Sequence, residues 1–377
     1  MDPKAMARSP LGKLVRIDGG RAYLPAPLPD TLVLPPDLAV EVERATVAVA
    51  TLGGLGETLE NPHLLVDPFL RREAVLSSMI EGTQASLSDI LELEAHAPPP
   101  AGDAGEVLNY VRAMERGIAL LEDLPVCLRL IHELHAVLLR GVRGDHARPG
   151  EFRDLQVWIG RPGTGIDQAR FVPPPEAEVA DLMAAWERWA NAPVALPILV
   201  RCALLHYQFE TIHPYRDGNG RVGRLLIVLF LMAQGLLTQP LLYVSSYFER
   251  HRSEYYDHLL RVSATGDWMP WLSFFMAGVA EQANDAIRRS RELRDLRRTY
   301  LARMQEAGES ANAFQLVDLL FRRPRVTRRS VAEDLGLTTA GARQLLDRMR
   351  RRGLVSDVPN RRPAVFVAPE ILDIVDV

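Results

Sequence analysis

The chain has 377 residues, 47% of them hydrophobic and 24% charged, with a net charge of −4. This length is enough for two or three domains, and the composition is that of a soluble globular protein. No apolar run is long enough to span a bilayer and the amino terminus lacks the apolar core of a signal peptide, so we expect a cytoplasmic protein.

The amino-terminal part of the chain predicts an arm followed by helices. Residues 20–37 are rich in proline and apolar side chains without periodicity, which indicates an extended arm packed on the body. Helical patterns follow at 38–55, 68–82 and 87–95. Gly82 is a plausible end for the second of these helices.

The central part predicts further helices around one pair of strands. Apolar side chains recur at spacings of three and four at 106–121, 125–139, 175–191 and 197–209. Residues 156–160 and 169–173 are strand-like and are separated by Gly163-Thr164-Gly165, which predicts a β-hairpin. Later helical patterns lie at 225–237, 253–265 and 268–303.

The last 65 residues differ in character. They predict three short helices and then two strands, at 311–321, 330–335, 338–352, 354–356 and 364–367. Three helices followed by two strands is the order of a winged helix. The predicted fold class is therefore mainly α, with a helical core, a small β-hairpin and a carboxy-terminal winged helix-turn-helix domain.

One stretch of twelve residues carries most of the chemistry, and residues 213–224 read HPYRDGNGRVGR. Asp-Gly and Asn-Gly favour a tight loop, which opens onto the first turn of the predicted helix that begins at Arg221. Unpaired N–H groups and the helix dipole favour an anion at such a helix start. Arg221 and Arg224 share one face of that turn, which indicates a phosphate site.

Two residues of the stretch add catalytic chemistry to that site. Asp217 is a carboxylate beside the predicted phosphate position, where Mg²⁺ is usually held. His213 is the only base of the stretch that is available at neutral pH. The combination indicates phosphoryl or nucleotidyl transfer to a hydroxyl. The alternative is a plain surface turn between helices with two solvated arginines, which fits the four-residue turn better than it fits all twelve residues.

The stretch resembles the signature of the Fic family, His-x-Phe-x-Asp/Glu-Gly-Asn-Gly-Arg-x-x-Arg, with Tyr215 in the place of the phenylalanine. The resemblance implies a protein adenylyltransferase that moves AMP from ATP, with Mg²⁺, to Ser, Thr or Tyr hydroxyls. It makes His213 the base and Asp217 the Mg²⁺ ligand. The nucleotide-binding residues that it implies in this stretch are Gly218, Asn219, Gly220, Arg221, Val222, Gly223 and Arg224.

The same resemblance assigns roles outside the stretch. The 156–173 hairpin is where the family places a flap that docks the target protein by strand addition, here through Phe171, Val172 and Pro173. Tyr255 and Tyr256 resemble the segment that packs against adenine, although aromatic residues at this spacing also suit a helix core. Glu210 shares a helix face with His213, and either contacts the nucleotide or is solvated.

An inhibitory motif of the family, Ser/Thr-x-x-x-Glu-Gly/Asn, is matched by residues 77–82. Ser77 and Glu81 are four residues apart and so share one helix face. The resemblance implies that Glu81 pairs with Arg224, takes the place of the γ-phosphate and inhibits the same chain. Some related proteins also remove AMP and use the same glutamate to position water, and the sequence does not separate an inhibitory role from such a dual role.

Charge singles out the carboxy-terminal part. Residues 287–363 contain 19 Arg, no Lys and nine Asp or Glu, a net +10, so the rest of the chain carries −14. This asymmetry favours a polyanion such as DNA, bound through residues 338–362. The arginines on the second helix of the predicted helix-turn-helix and at the predicted wing tip are Arg343, Arg348, Arg350, Arg351, Arg352, Arg361 and Arg362. A protein-binding or dimerising module is the alternative.

The predicted organisation has four parts. These are an amino-terminal arm and inhibitory region, a Fic-like core, a linker helix and a winged-helix domain, at 1–105, 106–285, 286–308 and 309–377. The competing hypothesis for the whole chain is a DNA-binding regulator whose Fic-like core senses nucleotide. A third is transfer of a different nucleotide. A homodimer is also possible.

Overall fold

The computed structural model describes residues 6–57, 63–87, 90, 102–142, 147–161, 163–359 and 364–376. These residues confirm the expectation of a mainly helical fold. Its α-helices up to residue 306 are α1 Pro36–Glu57, α2 His63–Ile80, α3 Asp103–Leu120, α4 Leu128–Leu138, α5 Val179–Asn191, α6 Ile198–Ile212, α7 Asn219–Ala233, α8 Ser245–Arg250, α9 Arg252–Thr265 and α10 Met269–Glu306. None of the helices in these described ranges is long and apolar enough to cross a membrane.

The amino terminus forms a hairpin that the sequence analysis missed. Strands β1 Gly12–Ile17 and β2 Gly20–Pro25 pair antiparallel, and Asp18-Gly19 forms the two-residue turn between them. Gly19 has φ 81°, the left-handed conformation that such turns require. The first six residues of the predicted extended arm are therefore extended and packed on the body, but as a paired strand that was not predicted. The Asp-Gly turn was the available signal.

Two central helices position the predicted site. In both α6 and α7 nearly every residue is buried, so the pair forms the middle of the core. The loop at 213–218 joins the end of α6 to the beginning of α7. A loop between two fully packed helices has its ends fixed, and this fixes the orientation of the side chains that it carries.

Helix α2 begins earlier than predicted. Its sequence pattern suggested a start at Pro68, yet the helix begins at His63 and carries Pro68 inside. Pro68 has no N–H to donate to the carbonyl of Leu64, so the helix lacks one backbone bond there, and burial of Leu64, Leu65 and Phe69 offsets that loss. Helix α2 packs against α3, α7 and α8. The helix predicted at 87–95 lies mostly outside the described residues.

The carboxy-terminal part contains α11 Ala311–Arg322, β3 Arg325–Thr327, α12 Arg328–Leu335, α13 Thr339–Arg351, β4 Ser356–Asp357, β5 Val365–Val367 and α14 Pro369–Asp376. Its sheet has the antiparallel order β3-β5-β4. The three predicted helices and two predicted strands are present, and β3 and α14 were not predicted. The predicted wing-tip residues Arg361 and Arg362 lie outside the described residues.

Helix α10 and several contacts join this carboxy-terminal part to the rest. Helix α10 runs without a break through residue 285, where we placed a domain boundary. Helices α11 and α14 pack directly against α2, and Arg322 of α11 lies 3.5 Å from Asp67 of α2. The helix that carries the predicted inhibitory motif is thus held from the carboxy-terminal side as well as from the core.

The predicted β-hairpin at 156–173 is much reduced. Only Ile159 and Phe171 form an isolated antiparallel bridge, and a short 3₁₀ turn at Ile166–Gln168 occupies the intervening segment. Prolines at 173–175 follow the bridge at once and cannot donate to a longer ladder. The segment is a looped flap with one bridge, and the prediction of two strands was wrong in extent.

Candidate active site

His213 is presented by the end of α6. It has φ 51°, which is unusual for a residue other than glycine, and its N–H donates to the carbonyl of Phe209 at 2.9 Å. Its Nδ1 lies 3.3 Å from the carbonyl oxygen of Glu210. A carbonyl only accepts, so Nδ1 carries the proton and Nε2 keeps its lone pair. Burial and, after it, the nearby Arg153 lower the pKa of His213 to about 4, although the Glu81 charge opposes the shift. His213 is therefore a neutral base at pH 7.

Asn219 closes the loop after His213. Its Oδ1 accepts from the N–H of Tyr215 and its Nδ2 donates to the carbonyl of Tyr215, both at 2.8 Å. The Tyr215 ring is buried and stacks on His135 with 3.7 Å between ring centroids. Its hydroxyl lies 3.1 Å from Nδ1 of His132. Tyrosine in place of the family's phenylalanine therefore fits, because its hydroxyl has a partner.

His135 supports the other side of the loop and was not predicted. Its Nδ1 accepts from the N–H of Gly150 at 2.8 Å, so its Nε2 carries the proton and donates to the carbonyl of Asp217 at 3.0 Å. Burial lowers the pKa of His135 to about 4, which keeps this neutral form at pH 7. The next residue, Gly218, has φ 78°, the left-handed conformation that glycine tolerates.

The beginning of α7 has the properties of an anion site. No side chain caps the helix at Gly218. The Gly218 N–H donates to Oδ1 of Asp217 at 2.6 Å. Beyond it, the N–H groups of the first turn point out of the helix start, where the dipole favours negative charge.

Arg221 is buried in this first turn. It donates to Oε2 of Glu106 at 3.0 Å and lies 3.5 Å from Oδ1 of Asp217. Glu106, from α3, is itself buried and accepts from the Thr83 hydroxyl. The pair fixes the guanidinium beside the helix start. Sequence analysis missed Glu106, because a lone glutamate more than 100 residues away carries no local signal.

Arg224 is 1% exposed and meets both residues of the predicted inhibitory motif. Its Nε donates to Oγ of Ser77 and its Nη2 donates to the Ser77 carbonyl and to Oε1 of Glu81, each at 2.8 Å. Burial alone would raise the pKa of Glu81, but the Arg224 guanidinium outweighs it and the pKa is lowered. Glu81 is thus an ionised partner of Arg224 at neutral pH.

Gly220 shows how closely the Glu81 carboxylate approaches α7. A Cβ at this position would meet Oε1 of Glu81 and, at 2.9 Å, Nη1 of Arg224. Only glycine lets a carboxylate rest against the first turn at this point. Glu81 therefore occupies the region that the helix start and Arg224 make favourable for an anion.

Helix α2 is also anchored by a further acidic residue, Glu73. Glu73 lies four residues before Ser77 and accepts from the hydroxyl of Tyr110 at 3.2 Å and from the N–H of Ser245 at 3.2 Å. Burial raises the pKa of Glu73 to about 7, although the Ser245 bonds and Arg224 oppose the rise. These contacts fix the register of α2 and hence the position of Glu81.

Glu210 faces the same space from α6. Burial raises its pKa to about 8, Arg224 opposes the rise and Glu81 adds to it, so the carboxyl is protonated at pH 7. Its Oε1 is buried without a hydrogen-bond partner among the described residues. A Cβ on Gly223 would clash with this atom. One oxygen of the Glu210 carboxyl is therefore buried against α7, whereas the residue as a whole is half-buried and borders a cavity, and its contact with the nucleotide stays a prediction.

A mostly apolar cavity adjoins Glu210. It is lined by residues of the flap, the end of α6 and one face of α9. These residues are Ile159, Arg170, Phe171, Glu210, Thr211, Tyr256, Leu259, Leu260 and Ser263. Tyr256 therefore borders a cavity, as a residue that packs on a nucleobase must. Tyr255 is buried and its hydroxyl lies 2.9 Å from Nε2 of His206, so Tyr255 belongs to the core. Val222 is likewise buried in the core.

The predicted docking residues of the flap are buried. Phe171 packs on Tyr23, and the Val172 carbonyl accepts from the Tyr23 N–H at 2.9 Å. Pro173 is buried too. The hairpin β1–β2 thus covers the edge that we expected to be free. The exposed large apolar side chains of the flap are Leu155 and Trp158, at 42% and 44% exposure.

Asp217 fits the predicted Mg²⁺ ligand. Its side chain is 47% exposed and lies at the helix start, between Arg221 and the solvent. Among the described residues no group of three His, Cys, Asp or Glu could hold a metal ion. One carboxylate is sufficient for Mg²⁺ where phosphates and water supply the remaining oxygens.

Two family models match the chain. One, described as Fic/DOC family N-terminal, matches residues 40–119, and the other, described as Fic/DOC family, matches residues 125–231. Ser77, Glu81 and Glu106 lie within the first match, and residues 210–224 lie within the second. The two halves of the site described above therefore come from two adjacent family regions.

Relatives and solved structures agree with these matches. Proteins named protein adenylyltransferase Fic are 35% identical over 172 residues in Drosophila grimshawi, covering 45% of this chain and 32% of the relative. In Drosophila melanogaster the identity is 33% over 202 residues, covering 52% and 37%. The chain thus spans about a third of the length of these curated relatives.

Two solved structures share the fold. The crystal structure of a Fic family protein from Desulfovibrio desulfuricans G20 is 20% identical with a TM-score of 0.58, and the match covers 89% of this chain and 97% of that one. Fic-1 (aa134–508) from C. elegans is 21% identical with a TM-score of 0.51, covering 67% and 73%.

Proposed function

This chain contains a Fic N-terminal domain followed by a Fic domain, and on that premise we propose that it is a protein adenylyltransferase. The observation that carries the proposal is a neutral histidine base, His213, beside an uncapped helix start with two fixed arginines. Relatives named protein adenylyltransferase Fic support the same activity. Its substrates are ATP and a Ser, Thr or Tyr hydroxyl of a target protein.

The proposed mechanism assigns each step to a residue of this chain. Nε2 of His213 takes the proton of the target hydroxyl while its oxygen forms a bond to the α-phosphorus of ATP. The bond from that phosphorus to the bridging oxygen breaks, and pyrophosphate leaves. The start of α7 and Arg221 stabilise the phosphate charge. Asp217 would hold Mg²⁺, which supplies further neutralisation of the phosphates when it is bound.

Glu81 is proposed to inhibit this reaction within the same chain. Its carboxylate neutralises Arg224 and lies against Gly220. The terminal phosphate of a productively bound ATP would bind at this same position. Two anions cannot share one guanidinium at this distance without a large electrostatic cost. ATP then binds with its phosphates displaced from the reactive position. Wild-type protein is therefore expected to bind ATP and to transfer AMP slowly.

Intact-mass spectrometry tests the activity directly. Incubating the chain with ATP and Mg²⁺ should add AMP to the protein itself, slowly in wild type and faster in Glu81→Gly, because its own hydroxyls are the acceptors present when no target is added. The gain should vanish with a non-hydrolysable ATP carrying a blocked α–β bridge, and GTP and CTP in parallel reactions distinguish a different nucleotide donor. A protein that binds ATP but gains no mass, even without Glu81, would instead support a nucleotide sensor. Loss of AMP from a previously modified sample would show the reverse activity.

Target docking is proposed to use the exposed part of the flap. Leu155 and Trp158 are exposed in a segment whose other described apolar side chains are buried or half-buried. An extended target segment that packs on them lies beside the Ile159–Phe171 bridge, next to the cavity that contains Glu210.

The carboxy-terminal part is proposed to bind DNA as a winged helix. The helix–strand–helix–helix–strand–strand order and the arginines of α13 support this. Several of these arginines are tied in ion pairs, such as Arg350 with Asp357 and Arg352 with Glu309, which reduces the available charge. We expect the affinity for duplex DNA to fall steeply from 50 to 200 mM salt if this proposal is right. Absence of binding at low salt would leave a protein-contact module, and a titration monitored by fluorescence anisotropy decides between them.

A further inference from the structure

Arg153 joins the flap to the loop that carries His213. It is 3% exposed, and its guanidinium donates to four backbone carbonyls. These are His213 at 2.9 Å from Nε, Leu155 at 3.1 Å from Nη1, and Pro174 and Ile212 at 2.5 and 3.5 Å from Nη2. Its own N–H donates to the carbonyl of Pro214 at 2.9 Å. The bonds of this one residue therefore reach both elements of the site.

The end of α6 needs such a donor. The last carbonyls of a helix have no partner within the helix, and His213 leaves the helix in a left-handed conformation. The next residue is Pro214, which has no N–H to offer. Arg153 satisfies the carbonyls of Ile212 and His213 from outside, which fixes the backbone on which the imidazole stands.

The same guanidinium holds both ends of the flap. Leu155 is where the flap leaves the core and Pro174 is where it returns, and both carbonyls accept from Arg153. Between these ends the flap is also held by the Ile159–Phe171 bridge, by Nε2 of Gln156, which donates to the Pro173 carbonyl at 3.0 Å, and by the contact of Val172 with Tyr23. Among these contacts, those of Arg153 also reach the carbonyl of His213, and they come from one planar group whose donors point in fixed directions.

We propose that Arg153 is a positioning residue that keeps the target-docking flap in a fixed position relative to the His213 base. This inference rests on the proposed transfer of AMP and deepens it. A lysine cannot replace Arg153, because an ammonium on a flexible stem does not reach carbonyls on both sides at once. Loss of the guanidinium leaves ATP binding intact and misplaces the acceptor hydroxyl, and a misplacement of about 1 Å is expected to cost on the order of 100-fold in rate.

Kinetics in a Glu81→Gly background test this role. Adding Arg153→Ala or Arg153→Lys should lower kcat on the order of 100-fold and leave the KM for ATP within about threefold. Millimolar guanidinium should restore part of the rate to Arg153→Ala and none to Arg153→Lys. The matched control is Arg201→Ala, which removes another buried arginine that donates to helix-end carbonyls, those of Ala190 and Ala192, away from the site. Equal losses of kcat for Arg153→Ala and Arg201→Ala would overturn the proposal.

Hydrogen exchange on the otherwise wild-type chain gives an answer that does not depend on activity. In Arg153→Lys the amides of Ile159 and Phe171 in the flap, and of His213, should exchange at least about tenfold faster together, while those of α5 keep their protection. Unchanged exchange at both places would refute the link between flap and loop. If the Glu81→Gly parent transfers no AMP, the proposed function fails, and the exchange result still decides whether Arg153 couples the two elements.

Discussion

Replacing Glu81 by glycine is expected to raise the rate of AMP transfer by roughly 10- to 100-fold, which corresponds to the usual range of coupling between an inhibitory contact and a site. The wild-type carboxylate holds Arg224 through one 2.8 Å bond and rests against Gly220. Its removal leaves a buried arginine without its anion, and ATP supplies the replacement. The measurement is the initial rate of AMP incorporation with labelled ATP, compared between the two proteins at saturating ATP and Mg²⁺.

Three variants separate the charge of Glu81 from other effects. Glu81→Gln keeps the shape and removes the charge, so it should activate nearly as well as Glu81→Gly. Ser77→Ala removes the hydroxyl that holds Arg224 without removing the carboxylate, so it should activate less. Glu122→Gly is the matched control, because Glu122 is an exposed glutamate in a turn outside the site. Equal rates for wild type and Glu81→Gly, with normal folding, would contradict the inhibitory role.

The sequence predicted the catalytic loop well because its information is local. A tight loop, a helix start and two arginines are all specified within residues 213–224, and the structure places them together. Apolar spacing predicted most of the helices for the same reason. The strands were predicted less well. The β1–β2 hairpin was missed although Asp18-Gly19 signals its turn, and the predicted 156–173 hairpin is limited to one bridge by the proline run after Phe171.

The remaining parts of the site depend on contacts over long sequence distances. Arg221 is paired by Glu106, the loop is held by His135, and Arg153 joins two segments that lie some 20 and 60 residues away. None of these residues belongs to a repeating pattern, and a buried arginine looks like a surface arginine in a sequence. Burial decides their roles, and burial emerges only when the helices have packed. The contact of Glu81 with Arg224 was predicted only because the motif resembled a known one.

Removing the base should have the largest effect of all. In the Glu81→Gly background, His213→Ala is expected to lower kcat for AMP transfer by on the order of 10²- to 10⁴-fold, the usual contribution of a general base. The KM for ATP should change little, because the phosphates are held by α7 and the arginines. His251→Ala is a matched control, because His251 is a partly exposed histidine before α9 that pairs with Glu254 and does not contact the residues of the site. Loss of AMP incorporation in His213→Ala with normal ATP binding separates chemistry from folding.

The pH dependence of the Glu81→Gly variant gives a second, independent reading of the same base. Burial holds the pKa of His213 near 4, and the Glu81 charge, which raises that pKa, is absent in this variant. The proton-accepting form is therefore present above pH 5 and is lost only as the pH falls through about 4. We expect kcat to stay level between pH 5.5 and 8, whereas a base with the ordinary histidine pKa of about 6.5 would lose half its rate near that value. An acid limb with a midpoint near 6.5 would show that His213 has the pKa of a solvated histidine during turnover. A level profile in Glu81→Gly, together with a much lower rate in His213→Ala, would assign the rate to His213 with its lowered pKa.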